Sequence, residues 1–415
     1  QEIAHLSVLI AENDYLNGEC IRLDGASRMQ PRERKESKLG PLNGFTVIEL
    51  AGIGPAPMGG MMLADMGAEV IRIDRAAGAS HLVMKDVSAR GKKSVVINLK
   101  SAEGIETLLR MVENADVLID PYRPGVCEKL GIGPDVCLER NPKLIFARMT
   151  GWGQEGPLAQ AAGHDINYIS ITGALYATGR KGQKPVPPLN LVGDMGGGGM
   201  LLVTGVLAAM LETANSGKGQ VIDVAMVDGA AQLMWMFHGF ETMGLWDASQ
   251  RESNMLDGGA HFYDAYECAD GQYISIGSIE PQFYALLKQH AELSEEDFGD
   301  QNNTALWPEM KEKLTDVFKR KTQAQWCEIM EGTDVCFAPV LSFVDAPAHP
   351  ANIARQTYIE VDGITQPAPA PRFSRTPSQV QHAGPQPAQD TDSVLTAMGF
   401  GEREIAVLKE QGAIA

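Results

Sequence analysis

Two kinds of segment alternate between residues 42 and 225. Short runs rich in Val and Ile, typical of buried strands, are followed by longer runs with the period of an amphipathic helix. Strands are predicted at residues 45–50, 68–74, 94–99, 117–120, 144–149 and 220–224, with helices that include 58–66, 102–114 and 197–211. This alternation predicts an α/β fold in which helices cover both faces of a parallel sheet.

The pattern changes after residue 225. A long apolar helix is predicted at 227–244, a hairpin with an Asp270-Gly271 turn at 263–277, and helices at about 281–293, 308–319 and 322–331. Residues 345–390 are rich in proline and predict an extended arm before two short helices. We therefore predict a large α/β domain at 41–225, a linker helix at 226–255, a small α+β domain at 256–343, and a C-terminal arm with helices at 344–415.

The first forty residues differ in character from the rest of the chain. Residues 1–33 resemble the last helix and strand of short-chain dehydrogenases, and residues 27–40 have the polar composition of a linker. We predict an N-terminal arm and linker at 1–40 that is a remnant of a fused dehydrogenase; an unrelated arm is the alternative. The chain begins with Gln1 and not Met, which fits a fragment or a processed form.

Composition narrows the function classes. The 415 residues are 44% hydrophobic and carry a net charge of −18, which argues against nucleic acid as the main partner. Six cysteines are scattered without metal-ligand spacing, and no apolar run is expected to reach the length of a membrane span. We expect a cytoplasmic protein with reduced thiols that needs no metal and binds no membrane.

A glycine loop and a set of cations are candidate nucleotide contacts. Gly52 and Gly54 follow a predicted strand, but Pro55 and Pro57 remove backbone donors that a dinucleotide would need, so we do not expect NAD to bind there. Arg75 and Arg123 follow predicted strand ends, where ligands of open α/β sheets bind. The wider set of cations is Arg72, Arg75, Lys92, Lys93, Lys100, Arg123 and Lys129.

His164 and Asp194 are the candidate acid–base pair. Each stands beside glycine at a predicted strand-to-helix junction, and the glycines after Asp194 are expected to open a helix. An imidazole and a carboxylate on opposite sides of a carbon can remove a proton from one face and return one to the other. A hydrogen-bonded structural histidine is the simpler alternative. Glu280 begins a predicted helix, where an acid also complements the helix dipole.

An ordered series of motifs resembles the family III CoA-transferases (CaiB/BaiF type) and, within them, the α-methylacyl-CoA racemases. The series starts near residue 40 and runs toward the C-terminus. It consists of 47–54 (VIELAGIG), 65–75 (DMGAEVIRIDR), 122–126 (YRPGV), 149–157 (MTGWGQEGP), 163–168 (GHDINY), 188–194 (PLNLVGD), 255–259 (MLDGG) and 277–283 (GSIEPQF).

This resemblance implies a Rossmann-like large domain that binds CoA, a small domain from which the chain returns to the large one, and an interlocked homodimer. Its active site lies between the large domain of one subunit and the small domain of the other. His164 and Asp194 exchange the proton, and Glu280 orients His164 from the partner subunit. No cofactor is implied, since CoA is part of the substrate. The implied CoA contacts are Arg75, Ile97, Asn98, Leu99, Lys100, Pro121, Tyr122, Arg123, Lys129, Gly163, Asp165, Ile166, Asn167 and Tyr168.

Two other functions remain open at this point. True CoA-transferases of this family use an aspartate nucleophile that matches Asp165 and usually follows Tyr, whereas His164 precedes it here. We therefore favour racemisation of 2-methylacyl-CoA thioesters through an enolate over transfer through Asp165. The third hypothesis is a non-catalytic acyl-CoA-binding partner domain of a dehydrogenase fusion.

Overall fold

A six-stranded parallel sheet organises the larger part of the molecule. The computed structural model describes residues 40–75 and 86–415; the predicted dehydrogenase-like segment lies outside them. The strands, in the order β3-β2-β1-β4-β5-β6, are β1 (Thr46–Leu50), β2 (Glu69–Asp74), β3 (Lys92–Val96), β4 (Val117–Asp120), β5 (Ile145–Thr150) and β6 (Gln220–Ala225). This is the doubly wound order, in which the direction of succession reverses between β1 and β4.

Helices cover both faces of this sheet, as the alternating pattern predicts. On the strands, Ile48 and Leu50 face one apolar cluster while Val47 faces the other. The helices up to the end of β6 are α1 (Pro55–Asp65), α2 (Ala102–Val112), α3 (Val126–Lys129), α4 (Pro134–Arg140), α5 (Asp165–Ile171), α6 (Ala174–Ala177), a π-helix (Leu191–Met200) and α7 (Leu201–Ser216).

A second, antiparallel sheet forms a separate core. It has the order β7-β8-β9, with β7 (Tyr263–Glu267), β8 (Tyr273–Gly277) and β9 (Phe337–Val340), and its apolar cluster includes Phe262 and Trp326. The helices after β6 and around this sheet are α8 (Met226–Leu233), α9 (Trp235–Thr242), α10 (Pro281–His290), α11 (Glu295–Phe298), α12 (Trp307–Phe318) and α13 (Gln323–Met330). The long helix predicted at 227–244 is thus two helices that meet at Met234.

The chain then returns to the large sheet. Helix α14 (Pro350–Arg355) precedes a hairpin of β10 (Tyr358–Val361) and β11 (Ile364–Pro367), where an extended arm was predicted. For residues 350–367 that prediction is wrong, because Asp362-Gly363, both at positive φ, form a tight turn that the surrounding prolines obscured. Residues 368–390 hold no helix or strand, as predicted for an extended arm. Helices α15 (Thr391–Ala397) and α16 (Glu402–Glu410) contribute Leu395 and Leu408 to the core of the large sheet.

One helical run is longer and more apolar than the sequence analysis expected. Leu191–Ser216 spans 26 residues, and its most apolar 18-residue window has a mean hydropathy of 1.5, enough by length and composition to cross a membrane; 39% of that window is buried. The glycines at 196–199 concealed this continuity, because they read as a loop-to-helix boundary. Leu202 and Val206 of the run belong to the core of the large sheet, and core helices pass the same test.

Candidate active site at the carboxyl edge of the parallel sheet

The predicted site residues follow the carboxyl ends of neighbouring strands. Arg75 comes directly after β2, and residues 97–100 follow β3. The loops after β1 and β4 touch at the switch point, since a Cβ on Gly52 would lie 2.7 Å from Cβ of Pro121. Parallel strands end at one edge, and in open α/β sheets ligands bind at that edge.

His164 stands at the N-cap of α5 with its side chain exposed. Its backbone N–H donates to Oδ1 of Asn167 at 3.0 Å, and its ring Nδ1 lies 2.7 Å from the carbonyl oxygen of Gly163. A carbonyl oxygen only accepts, so this contact assigns the proton of the neutral ring to Nδ1. Nε2 is then the nitrogen that can accept a proton.

Asp194 lies in the first turn of the π-helix, half-buried. Nδ2 of Asn190 donates to its Oδ2 at 3.1 Å. Burial raises the pKa of the Asp194 carboxyl; the Asn190 hydrogen bond lowers it, the charge of Asp165 raises it, and the charge of His164 lowers it. The two predicted proton-transfer groups are therefore within electrostatic reach of each other. Sequence reasoning missed Asn190, whose i, i+4 spacing would have pointed to it had the helix start been placed at Leu191.

Asp165 follows His164 in the chain and is buried. Its side chain is 5% exposed, and its Oδ1 accepts the backbone N–H of Asp194 at 2.7 Å. Gly193 makes this approach possible, because a Cβ there would come 2.6 Å from the same oxygen.

The glycine run serves close packing instead of opening a helix after Asp194. The helical run already begins at Leu191, so the glycines lie inside it. A Cβ on Gly197 would meet the backbone nitrogen of Ala230 in α8 at 2.7 Å, and a Cβ on Gly198 would meet Pro55 in α1 at 2.8 Å. The expected opening is wrong because contacts with two neighbouring helices, which a sequence does not display, account for the glycines.

The predicted CoA residues divide into exposed and buried groups. The Arg75 guanidinium lies 5.8 Å from the centre of the Tyr122 ring. Burial and the charge of Asp194 raise the pKa of Tyr168, and the charge of Arg123 lowers it. The exposed Arg123 side chain is therefore near enough to act on Tyr168, in the first turn of α5. By contrast, Ile97 is 2% exposed and packs in the core beside the C-terminus.

The other members of this predicted set lie at or near the surface. Pro121, Gly163 and Leu99 are half-buried, and Asn98 donates through Nδ2 to the carbonyl of Gly412 at 3.3 Å. The side chains exposed at the surface are Lys100, Lys129, Ile166 and Asn167.

Three of the candidate cations are paired with acids of the sheet. Lys92 is fully buried against Glu49, Arg72 pairs with Asp74, and Lys93 pairs with Glu69. Within residues 40–75 and 86–415, no three His, Cys, Asp or Glu side chains are grouped to hold a metal ion.

Glu280 is separate from His164 and Asp194 within one chain. It stands exposed at the N-cap of α10, and in the described part of the chain its carboxylate makes no hydrogen bond or ion pair. Its charge, after burial, raises the pKa of the Cys336 thiol, which places it beside β9.

Comparison of the sequence with known proteins assigns the chain to a family. The model of CoA-transferase family III matches residues 42–391. The chain belongs to CoA-transferase family III. Two members of the family, both named alpha-methylacyl-CoA racemase, are similar over most of their length. The protein of Mus musculus is 46% identical over 88% of this chain and 96% of its own, and that of Homo sapiens is 43% identical over 88% and 95%.

Solved structures agree with this assignment. A Mycobacterium tuberculosis protein in an orthorhombic crystal form superposes with a TM-score of 0.72 and 26% identity, covering 85% of this chain and 99% of that one. A CaiB/BaiF family protein of Brucella suis superposes with a TM-score of 0.74 over 87% and 100%; at 23% identity it supports the fold alone.

Proposed function

We propose that this protein interconverts the two configurations of 2-methylacyl-CoA thioesters. One observation carries the proposal: His164 and Asp194 lie within electrostatic reach at the starts of two helices, and the buried carboxylate of Asp165, next to His164 in the chain, accepts the Asp194 N–H. The identity of 43–46% with two alpha-methylacyl-CoA racemases supports the same reaction and substrate class.

The reaction uses both groups in each direction. Asp194, as the carboxylate, removes the α-proton from one face of the thioester, and the electron pair moves into the carbonyl to form an enolate. Protonated His164 returns a proton from Nε2 to the other face of that carbon. In the reverse direction neutral His164 is the base and protonated Asp194 the acid. The raised pKa of Asp194 helps it act as the acid, because a proton donor is most effective when its pKa lies near the working pH. An acid and a base suffice, so no cofactor is needed.

The CoA-transferase alternative requires Asp165 to attack a thioester carbon. Asp165 is 5% exposed and its carboxylate accepts the Asp194 N–H, which disfavours a nucleophilic role. Incubation with acyl-CoA and hydroxylamine separates the two: a transferase yields trapped acyl-enzyme, and the racemase does not.

The deciding experiment is exchange of the α-proton in D₂O. A single configuration of a 2-methylacyl-CoA should racemise and acquire deuterium only at the α-carbon. His164→Ala and Asp194→Ala should each lower the rate by at least about a hundredfold, the contribution of one positioned acid or base. Tight CoA binding without any exchange would support the non-catalytic hypothesis and refute this one.

Glu280 completes the site from a second subunit in this proposal. Large apolar side chains around α7 and α9 are exposed in the single chain and would be covered by a partner: Trp235 is 72% exposed, Leu211 70%, Leu245 65% and Met243 62%. Glu280 has no partner side chain among the described residues and is available to reach His164 of another copy.

Mixed dimers test this arrangement. When His164→Ala and Glu280→Ala chains are co-expressed, one of the two sites in each mixed dimer receives an intact His164 and an intact Glu280. Activity should then return to about half of the unsubstituted level in mixed dimers. If Glu280 acts within its own chain, every site lacks one group and activity stays at the level of the single variants.

A further inference from the structure

The buried carboxylate of Asp165 has no role in the proton transfer described above, although it follows His164 in the chain and accepts the Asp194 N–H. One of its oxygens accepts the Asp194 N–H, and the other, Oδ2, is buried without a hydrogen-bond partner. A buried carboxylate with an unsatisfied oxygen costs free energy, so its presence calls for a functional reason.

The hydrogen bond joins two elements that carry the reacting groups. Asp165 is the first residue of α5, directly after His164, and the bond reaches the first turn of the π-helix at Asp194. A shift of either helix start would change the separation of the two bases. Gly193 leaves room for the carboxylate and for little else.

We propose that Asp165 is a positioning residue for the proton transfer: its carboxylate ties the Asp194 peptide to the start of α5 and holds a fixed negative charge beside the Asp194 side chain. The inference rests on the proposed racemase function. It assigns to Asp165 an electrostatic and structural role instead of a nucleophilic one.

The charged surroundings of Asp194 make Asp165 the main adjustable charge. On α5 and its N-cap, the charges of His164 and Asp165 shift the pKa of Asp194, and the charge of Asp194 raises the pKa of Tyr168. Helices α1 and α7 carry no ionisable side chain in their first two turns. The acids on the two remaining packed elements, β6 and α8, are exposed: Asp223 and Asp228. The charge of Asp165 favours the protonated form of Asp194, which is the form that donates to the enolate.

The test is the pH profile of α-deuterium exchange in Asp165→Asn. Asparagine keeps an oxygen that accepts the Asp194 N–H but removes the charge. The limb of kcat/KM that falls on the acid side should therefore move to lower pH by about one unit, the size of a like-charge effect between neighbouring carboxylates. Asp228→Asn, which removes an exposed charge from α8, is the matched control and should leave the limb in place.

A second variant tests positioning without removing charge. Gly193→Ala would bring a methyl group within 2.6 Å of Oδ1 of Asp165 and displace the carboxylate. We expect kcat to fall about tenfold with KM for the thioester unchanged, because contacts that align reacting groups act on the chemical step.

The outcomes separate this inference from the proposed function. If the unsubstituted protein exchanges the α-proton but Asp165→Asn keeps its acid limb, or Gly193→Ala keeps its kcat, the inference is overturned and the racemase function stands. If the unsubstituted protein exchanges no α-proton, the proposed function itself fails.

Discussion

Lys92→Met should be one of the most destabilising single substitutions in the large domain. Lys92 and Glu49 are both 0% exposed, and Nζ lies 2.9 and 2.7 Å from the two carboxylate oxygens. Nζ also donates to the carbonyl of Pro57 in the first turn of α1, at 2.9 Å. Burial raises the pKa of Glu49 and lowers that of Lys92, against the attraction between them. The substitution leaves Glu49 with a buried charge and no partner.

The magnitude follows from what Glu49 can do next. Keeping the unpaired charge costs about 3–5 kcal/mol. Taking up a proton instead costs about 3 kcal/mol at pH 7 for a carboxyl with an ordinary pKa of 4.5. Loss of the donor to Pro57 adds about 1 kcal/mol. We therefore expect a loss of about 4 kcal/mol. The double variant Lys92→Met with Glu49→Leu removes both charges and should lie within about 1 kcal/mol of the unsubstituted protein.

Equilibrium unfolding in urea, followed by tryptophan fluorescence, measures these differences. Lys93→Met is the matched control in the same strand. Its ion pair with Glu69 is partly exposed, so its loss should cost less than about 1 kcal/mol. The reasoning is refuted if Lys92→Met costs less than about 1 kcal/mol, or if the double variant is as unstable as the single one.

Three further predictions concern pH, binding and packing. Burial lowers the pKa of His261 from 6.5 to about 4, so the unfolded chain binds a proton at this residue before the folded chain does as the pH falls. The free energy of unfolding should therefore drop by about 2 kcal/mol between pH 7 and pH 5. His261→Gln should remove most of this dependence on pH. Arg123→Ala should raise KM for the thioester about tenfold with kcat unchanged, while Lys143→Ala, at the opposite edge of the sheet, should leave both constants alone. Gly197→Ala should lower the melting temperature because its Cβ would lie 2.7 Å from the backbone nitrogen of Ala230. Gly239→Ala is the control, since a Cβ there would meet no atom within 4 Å. Equal melting temperatures of the two variants would contradict the packing argument.

Local patterns predicted the parallel sheet well, because both of its faces are buried and its strands therefore read as continuous Val- and Ile-rich runs. Boundaries were predicted less well. The third strand begins at Lys92 and not at residue 94, since a lysine reads as a surface residue unless its partner is known. That partner, Glu49, is 43 residues away along the chain, and only the folded sheet brings the two together.

The candidate site shows the same division. His164, Asp194 and Glu280 were singled out from their neighbours in sequence and from an ordered series of family motifs. Packing between α5 and the π-helix decides two further features of the site. Asn190 donates to Asp194, and Asp165 faces inward.

The sequence by itself determined the class of fold and the family, and it proposed the reacting side-chain types, because periodicity and motif order are properties of neighbouring residues. The tertiary structure alone decided which charges meet. Glycines that were predicted to start a helix became the surface against which two helices pack, and Asp165, predicted as a CoA contact with a nucleophile as the alternative, became a buried acceptor. Both results depend on distances between segments far apart in the chain, and only folding sets such distances.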